Sequence, residues 1–373
     1  MSEKYQYSAN AMRYRHSHQG LISVKSKVPV KDSHALSLVY TPGVAEPCLE
    51  IARDPRRSFD VTCRGNTVAI VSTGSSAWGM GDVGPEAILP ILEGTAVIMK
   101  TFAGIDALPL AIRADGISEF VDLILNITPT FGGISIEDVR SPGSMSATNR
   151  LERALNIPVI NNHREGVAIG LLAGLINTGR LLGKHLPDMK VVINGAGAAG
   201  LGTAFLLHRY GLTNTIVCDR TGAIYKYRPL EMNWAKWEIA KVSNPDGQSG
   251  SLREVLAGAD ALVDFVGQTG ISAVWCQEMA PDPALFLFGT PLELSPQEAY
   301  RAGAAVVATS QSTYANQMDI ASVIPGVFRG LLDVRATHFS VPAEIAAAEA
   351  IAALIPDDEL HANYISPKIF DYQ

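Results

Sequence analysis

At 373 residues the chain is long enough for two domains, each with its own core. Its formal net charge of −7 excludes the basic face that a nucleic-acid partner requires. The four cysteines, Cys48, Cys63, Cys218 and Cys276, lack the spacing of a zinc site or a disulfide frame and read as small buried hydrophobes in a reducing compartment.

No apolar signal core stands at the N-terminus, and the longest apolar stretch, 167–176, falls far short of the roughly 20 residues that span a bilayer. A cytoplasmic protein with no membrane partner is the expectation. The first predicted strand is 67–72, followed by the glycine-rich turn 79–84 and a helix over 85–92 with Pro85 in its first turn. Strand-like runs follow at 96–99 and 108–112, then an amphipathic helix at 118–125. A short strand, 134–136, delivers the adjacent acids Glu137 and Asp138. After Pro158 the chain enters a helix from about 165 to 182, read as the bridge between an N-terminal domain (1–160) and a C-terminal one (161–373).

The most informative segment is 190–200. A β-branched strand, Val191-Val-Ile193, runs into a G-x-G-x-x-G turn built from Gly195, Gly197 and Gly200, and an apolar helix opens behind it. The first glycine permits the tight turn, the second leaves room for a pyrophosphate, and the third lets the helix pack on its strand. A second strand, 215–218, ends in Asp219, where a carboxylate grips the ribose 2′-OH of NAD and repels the 2′-phosphate of NADP. Arg220, next in line, is placed to pair with that phosphate, so NAD is expected and NADP is possible. Ser251 and Glu254 form a capping box; strands at 261–266, 285–288 and 304–308 and a helix over 342–354 complete the pattern. The fold class is α/β: an N-terminal α/β domain, then a C-terminal doubly wound parallel sheet of Rossmann type, with a cleft between them.

Several further segments have unusual wording: Tyr40-Thr-Pro-Gly-Val-Ala-Glu-Pro-Cys48, Gly79-Met-Gly-Asp-Val-Gly-Pro85, Phe102-Ala-Gly-Ile-Asp-Ala107, Phe131-Gly-Gly-Ile-Ser-Ile-Glu-Asp138, Met279-Ala-Pro-Asp-Pro283 and Pro325-Gly-Val-Phe-Arg-Gly330. In this order and spacing the chain resembles the short bacterial malic enzymes from about residue 36 to 353. The resemblance implies oxidation of malate with NAD(P) and a divalent metal, followed by decarboxylation, in at least a homodimer. It also implies that Tyr40 is the acid, that Glu137 and Asp138 are metal ligands, and that Asn316 opens a run whose amides contact substrate carboxylate or nicotinamide.

The chain departs from that pattern at the chemistry. The family's catalytic Lys falls on Thr95, which cannot act as an amine. Lys100 is five residues on; in a strand that odd offset puts it on the opposite face. The Lys-partnered Asp becomes Asn162, and the third metal carboxylate becomes His163. Two carboxylates and one His suit Fe(II), Mn or Zn better than Mg; the alternative is a pocket-lining His163 and no metal. Thr290, Asp319 and Ile320 replace substrate-binding asparagines, and Asp319 would repel a carboxylate. The reading that follows is an NAD(P)-dependent oxidoreductase with a changed substrate, a small hydroxy acid or related polar metabolite. In it Tyr40 serves as acid/base, aided by His163. Two rivals stand beside it: a silent nucleotide-binding homologue acting as a partner subunit, and a true malic enzyme with a substituted base.

Overall fold

Because both faces of Thr67–Ser72 are apolar or small, this run suits only a central strand. The computed structural model, which describes residues 3–77, 79–267 and 269–370, buries its whole length as β1. Parallel neighbours β2 (Asp106–Ala111) and β3 (Gly133–Ile136) flank it, and β4 (Val159–Asn161) adds beyond β3, giving the order β2-β1-β3-β4. The helices α1 (Pro85–Ala103), α2 (Ile117–Ile127) and α3 (Gly143–Ala154) supply the crossovers. Ile136 pairs with Asn161 in register. Glu137-Asp138 and Asn162-His163 therefore leave adjacent strands side by side, at the carboxyl ends where open α/β sheets bind ligands.

The second sheet contains β5 (Val191–Asn194), β6 (Thr215–Asp219), β7 (Gly222–Ala223), β8 (Ala261–Asp264), β9 (Ala284–Leu287) and β10 (Val306–Thr309). Its order is β10-β9-β8-β5-β6-β7, parallel except for β7. Between the sheets runs α4 (Val167–Leu182), which packs on α5 (Ala198–Tyr210) and α6 (Val341–Ala353). One contiguous apolar core extends from Val68 and Ile70 through Leu172 to Ile193 and Phe286. Ser251 and Glu254 form the expected capping box.

Besides Cys48 and Cys63, which are exposed rather than buried, two expectations are corrected. The run 96–99 is not a strand but the fourth turn of α1, because Ile88, Leu92, Ala96 and Met99 recur at helical spacing on one buried face. Left-handed Gly104 ends the helix with its N–H on the Lys100 carbonyl. Second, an apolar span does exceed bilayer length: among the described residues one helical stretch, Asn162–Leu182, is long and apolar enough to cross a membrane. Two-thirds of it is buried inside the protein (67%), as befits a core helix.

Candidate active site

Gly195 adopts φ +117°, and a Cβ on Gly200 would lie 1.8 Å from the Gly195 carbonyl oxygen, so this turn can be drawn only with glycine at both positions. A Cβ on Gly197 would instead meet nothing within 4 Å. That open space faces a cleft of about 1500 Å³, lined by residues 194–200 and by Asp219, Arg220 and Lys236. The free N–H groups at the start of α5 border the same cleft, so these residues fit a dinucleotide pyrophosphate.

Asp219 lies at the end of β6 but its carboxylate is already saturated. Its Oδ1 accepts from Arg228 Nη1 (2.9 Å), Thr221 N (2.9 Å) and Thr221 Oγ1 (2.8 Å). Its Oδ2 accepts from Lys236 Nζ (2.7 Å) and from Arg228 Nη2. Five donors meet about four lone-pair sites, leaving nothing for a ribose hydroxyl. These donors overcome the effect of burial and hold the acid far below the usual carboxylate range. Arg220 is exposed and pairs with Glu231. Neither Arg228 nor Lys236 was singled out from the sequence; no motif marks a cation 9 or 17 residues downstream of an acid.

At the ends of β3 and β4 the side chains of Thr95, Glu137, Asp138, Asn162 and His163 come together. Glu137 is buried; Thr95 Oγ1 donates to its Oε2 (3.1 Å) and Asn162 Nδ2 donates to its Oε1. Ser135 Oγ in turn donates to Asn162 Oδ1 (3.0 Å), fixing the amide's orientation. Burial pushes the Glu137 carboxyl up to about 7, against the pull of His163, Thr95 and Asn162. Asp138, also buried, has its Oδ1 2.9 Å from His163 Nε2, an ion-pair distance whose angle gives no proper hydrogen bond. Burial lowers the His163 pKa, but Asp138 and Glu137 more than offset it, so the imidazole sits above its ordinary value. A π-turn over Asn162–Gly166 presents these residues, a feature that the sequence does not announce.

The cluster opens into a cavity of about 440 Å³ that adjoins the nucleotide cleft: Asp138, His163, Ala199 and Phe265 line both. Phe265 stacks on Phe288, with ring centroids 5.5 Å apart, where the two spaces meet.

Two residues expected at the site lie elsewhere. Tyr40 is 67% exposed at the end of the short helix Ser33–Val39 and lines neither space. Asn316 is buried with its amide spent on the backbone: Nδ2 donates to the Val307 and Ala362 carbonyls (2.9 and 2.7 Å), and Oδ1 accepts from Ile365 N (3.0 Å). The resemblance pointed to Asn316 through the family's amide run, but the sequence could not tell a tail clamp from a ligand contact. Lys100 is remote for a different reason than expected. Five residues along a helix turn it well away from Thr95, and it pairs with Asp106 (2.8 Å).

The residues present do not fit a divalent metal. Glu137, Asp138 and His163 come together, but both Glu137 oxygens already accept protein hydrogen bonds and His163 Nε2 is turned onto Asp138, so among the described residues no three His, Cys, Asp or Glu side chains are arranged to hold a metal ion.

The sequence profile described as Malic enzyme, N-terminal domain matches residues 19–117, a stretch that includes Tyr40 and Thr95 and ends before Glu137. The chain is 44% identical over 354 residues to a bifunctional malic/malolactic enzyme of Bacillus subtilis, covering 95% of this chain and 86% of that one. It is 41% identical over 352 residues to an NAD-dependent malic enzyme of Geobacillus stearothermophilus, covering 94% and 73%. The crystal structure of an NAD-dependent malic enzyme from Thermotoga maritima superposes with a TM-score of 0.93 at 34% identity, covering 97% of this chain and 95% of that one.

Proposed function

The chain belongs to the malic enzyme family, and from that premise we propose that it is an NAD(P)-dependent oxidoreductase whose reaction has left the oxidative decarboxylation of malate. One observation carries the reading: the glycine-turn cleft and the Glu137 cluster adjoin at Asp138, His163, Ala199 and Phe265. Residues 161–373 would hold the nucleotide, and residues 1–160 would supply most of the acid–base groups.

When bound, the nicotinamide supplies the hydride acceptor. The proton of a substrate hydroxyl goes to Glu137, whose carboxyl titrates near 7 and so exchanges protons at neutral pH. Thr95 and Asn162 hold that carboxyl in place. The His163–Asp138 pair sets an imidazole, whose pKa its acidic neighbours raise, where negative charge develops on the reacting oxygen. Decarboxylation lacks its means: no amine stands at 95, no acid at 162, and the residues present assemble no Lewis-acid site. Since Arg228 and Lys236 neutralise Asp219, both NAD and NADP are admitted.

The N-terminal segment exposes Val24, Leu36, Leu38, Tyr40, Val44 and Leu49. A second copy of the chain would cover such an apolar face, and Tyr40 is assigned to that homodimer interface. To test the function, the purified protein is titrated with NADH and NADPH. It is then assayed for nucleotide reduction across small alcohols and hydroxy acids, with and without Mn²⁺ or Mg²⁺. Metal-independent turnover that is lost in Glu137→Gln is expected. Nucleotide binding with no turnover on any compound would overturn the reading in favour of a silent homologue.

A further inference from the structure

The cavity beside Glu137 has an acidic lining. It is walled mainly by apolar side chains such as Val167, Leu171, Phe288, Met318 and Val323. Its ionisable lining is Glu137, Asp138, Asp319 and His163, and among the described residues no Lys or Arg reaches it. Even with Glu137 protonated, two carboxylates face one imidazole. A substrate carboxylate placed here would lose its water without gaining a cation, and would meet like charge as well.

Two of these acids also have spare acceptor capacity. Asp138 is 2% exposed and lines the cavity; its Oδ1 lies 2.9 Å from His163 Nε2 as an ion pair without an aligned hydrogen bond. Asp319 lines the cavity with one oxygen capping Ala321 N (3.1 Å), while its other oxygen has no donor among the described residues. Asp138, buried and offset from its one partner His163, and the solvent-exposed carboxylate of Asp319 line a largely apolar cavity next to the nucleotide cleft, and together they favour a ligand that brings donors and positive charge.

We propose that this cavity binds an amino alcohol, a hydroxy compound with an apolar body and an ammonium end, rather than a hydroxy acid. The hydroxyl lies toward Glu137 and His163, and the ammonium is held by Asp319. The inference rests on the oxidoreductase reading for its chemistry: the alcohol loses a hydride to the nicotinamide nucleotide and a proton to Glu137, giving an amino ketone. Binding, however, is separable from that step.

The experiment uses three ligands of similar size: 4-amino-2-butanol (cationic), 2-pentanol (neutral) and 3-hydroxybutyrate (anionic). Calorimetric affinities are measured on the full chain, first without nucleotide and then with NADH. The amine is expected to bind about tenfold or more tighter than the hydroxy acid, with the neutral alcohol between them. Asp319→Asn, which keeps an N-cap residue and hence the local fold, is expected to bring the amine down to the neutral alcohol and to improve the acid. Equal or tighter binding of 3-hydroxybutyrate, an unchanged order in Asp319→Asn, or no binding of any of the three would overturn the proposal. If the order holds without nucleotide but NADH does not bind, the oxidoreductase reading fails and the ligand class stands.

Discussion

Asp219 is the residue whose role changes most between sequence and structure, and Asp219→Asn separates the two accounts. The carboxylate side chain is 7% exposed, against 5% for Arg228 and 14% for Lys236. Asn keeps the volume and one acceptor oxygen but removes the charge, and it turns an NH₂ toward the donors that faced Oδ2. Arg228 would lose the partner of its Nη2 and keep, through Nη1, the remaining side-chain oxygen and Thr221 Oγ1 (3.1 Å), besides long contacts to the carbonyls of Gly222, Ala223 and Glu231 at 3.3, 3.4 and 3.5 Å. Breaking a buried pair by removing one partner costs about 3–5 kcal/mol. The lower end applies, because Lys236 can swing into water. A loss of about 3 kcal/mol lowers the Tm of a chain this long by roughly 3–6 °C. Thermal unfolding of the nucleotide-free protein reads it directly. If Asp219→Asn melts like the parent while NADH affinity falls tenfold or more, the carboxylate serves the ribose and the saturation argument is refuted.

Gly200→Ala drives a Cβ into the Gly195 carbonyl and should cost about 1–3 kcal/mol together with measurable NADH binding, checked by calorimetry and melting. Burial raises Glu137 and Glu152 to about 7 and Glu344 to about 8, so the folded state holds protons that the unfolded chain has released. Their contribution to stability is full below pH ~4.5 and is lost as pH rises through 7–8; the Tm should therefore fall by several degrees between pH 6 and pH 9. Thr95→Lys alone should not create malate activity, since Asn162, Asp319 and Ile320 remain and groups that act as one unit are strongly non-additive. Malate-dependent NADH formation checks it, and substantial activity in that single variant would make the other losses cosmetic.

Most of the architecture was legible because its signals are local. The buried run 67–72, the G-x-G-x-x-G turn at 195–200 and the Ser251/Glu254 capping box each specify their own geometry. The misread strand at 96–99 shows where that locality fails: four apolar residues fit either period until Ile88 and Leu92 are counted with them. At the site, adjacent β3 and β4 explain why Glu137, Asp138, Asn162 and His163 meet. Hydrogen-bond commitments depend on distant partners, however. Arg228 claims Asp219, and the backbone around Ala362 and Ile365 claims Asn316, and no spacing rule foretells either. Tyr40 was placed by motif, and an exposed motif residue can belong to an interface as readily as to a cavity.

On the proposed function, a family scaffold carries a site that no longer decarboxylates malate. The direct measurement is pyruvate and NAD(P)H formation from L-malate by the purified protein with saturating Mn²⁺. The expected rate is lower by at least the roughly 10²–10⁴-fold that general-base assistance contributes, with no dependence on the metal. A metal-dependent rate equal to that of the Geobacillus stearothermophilus relative, assayed side by side, would contradict it.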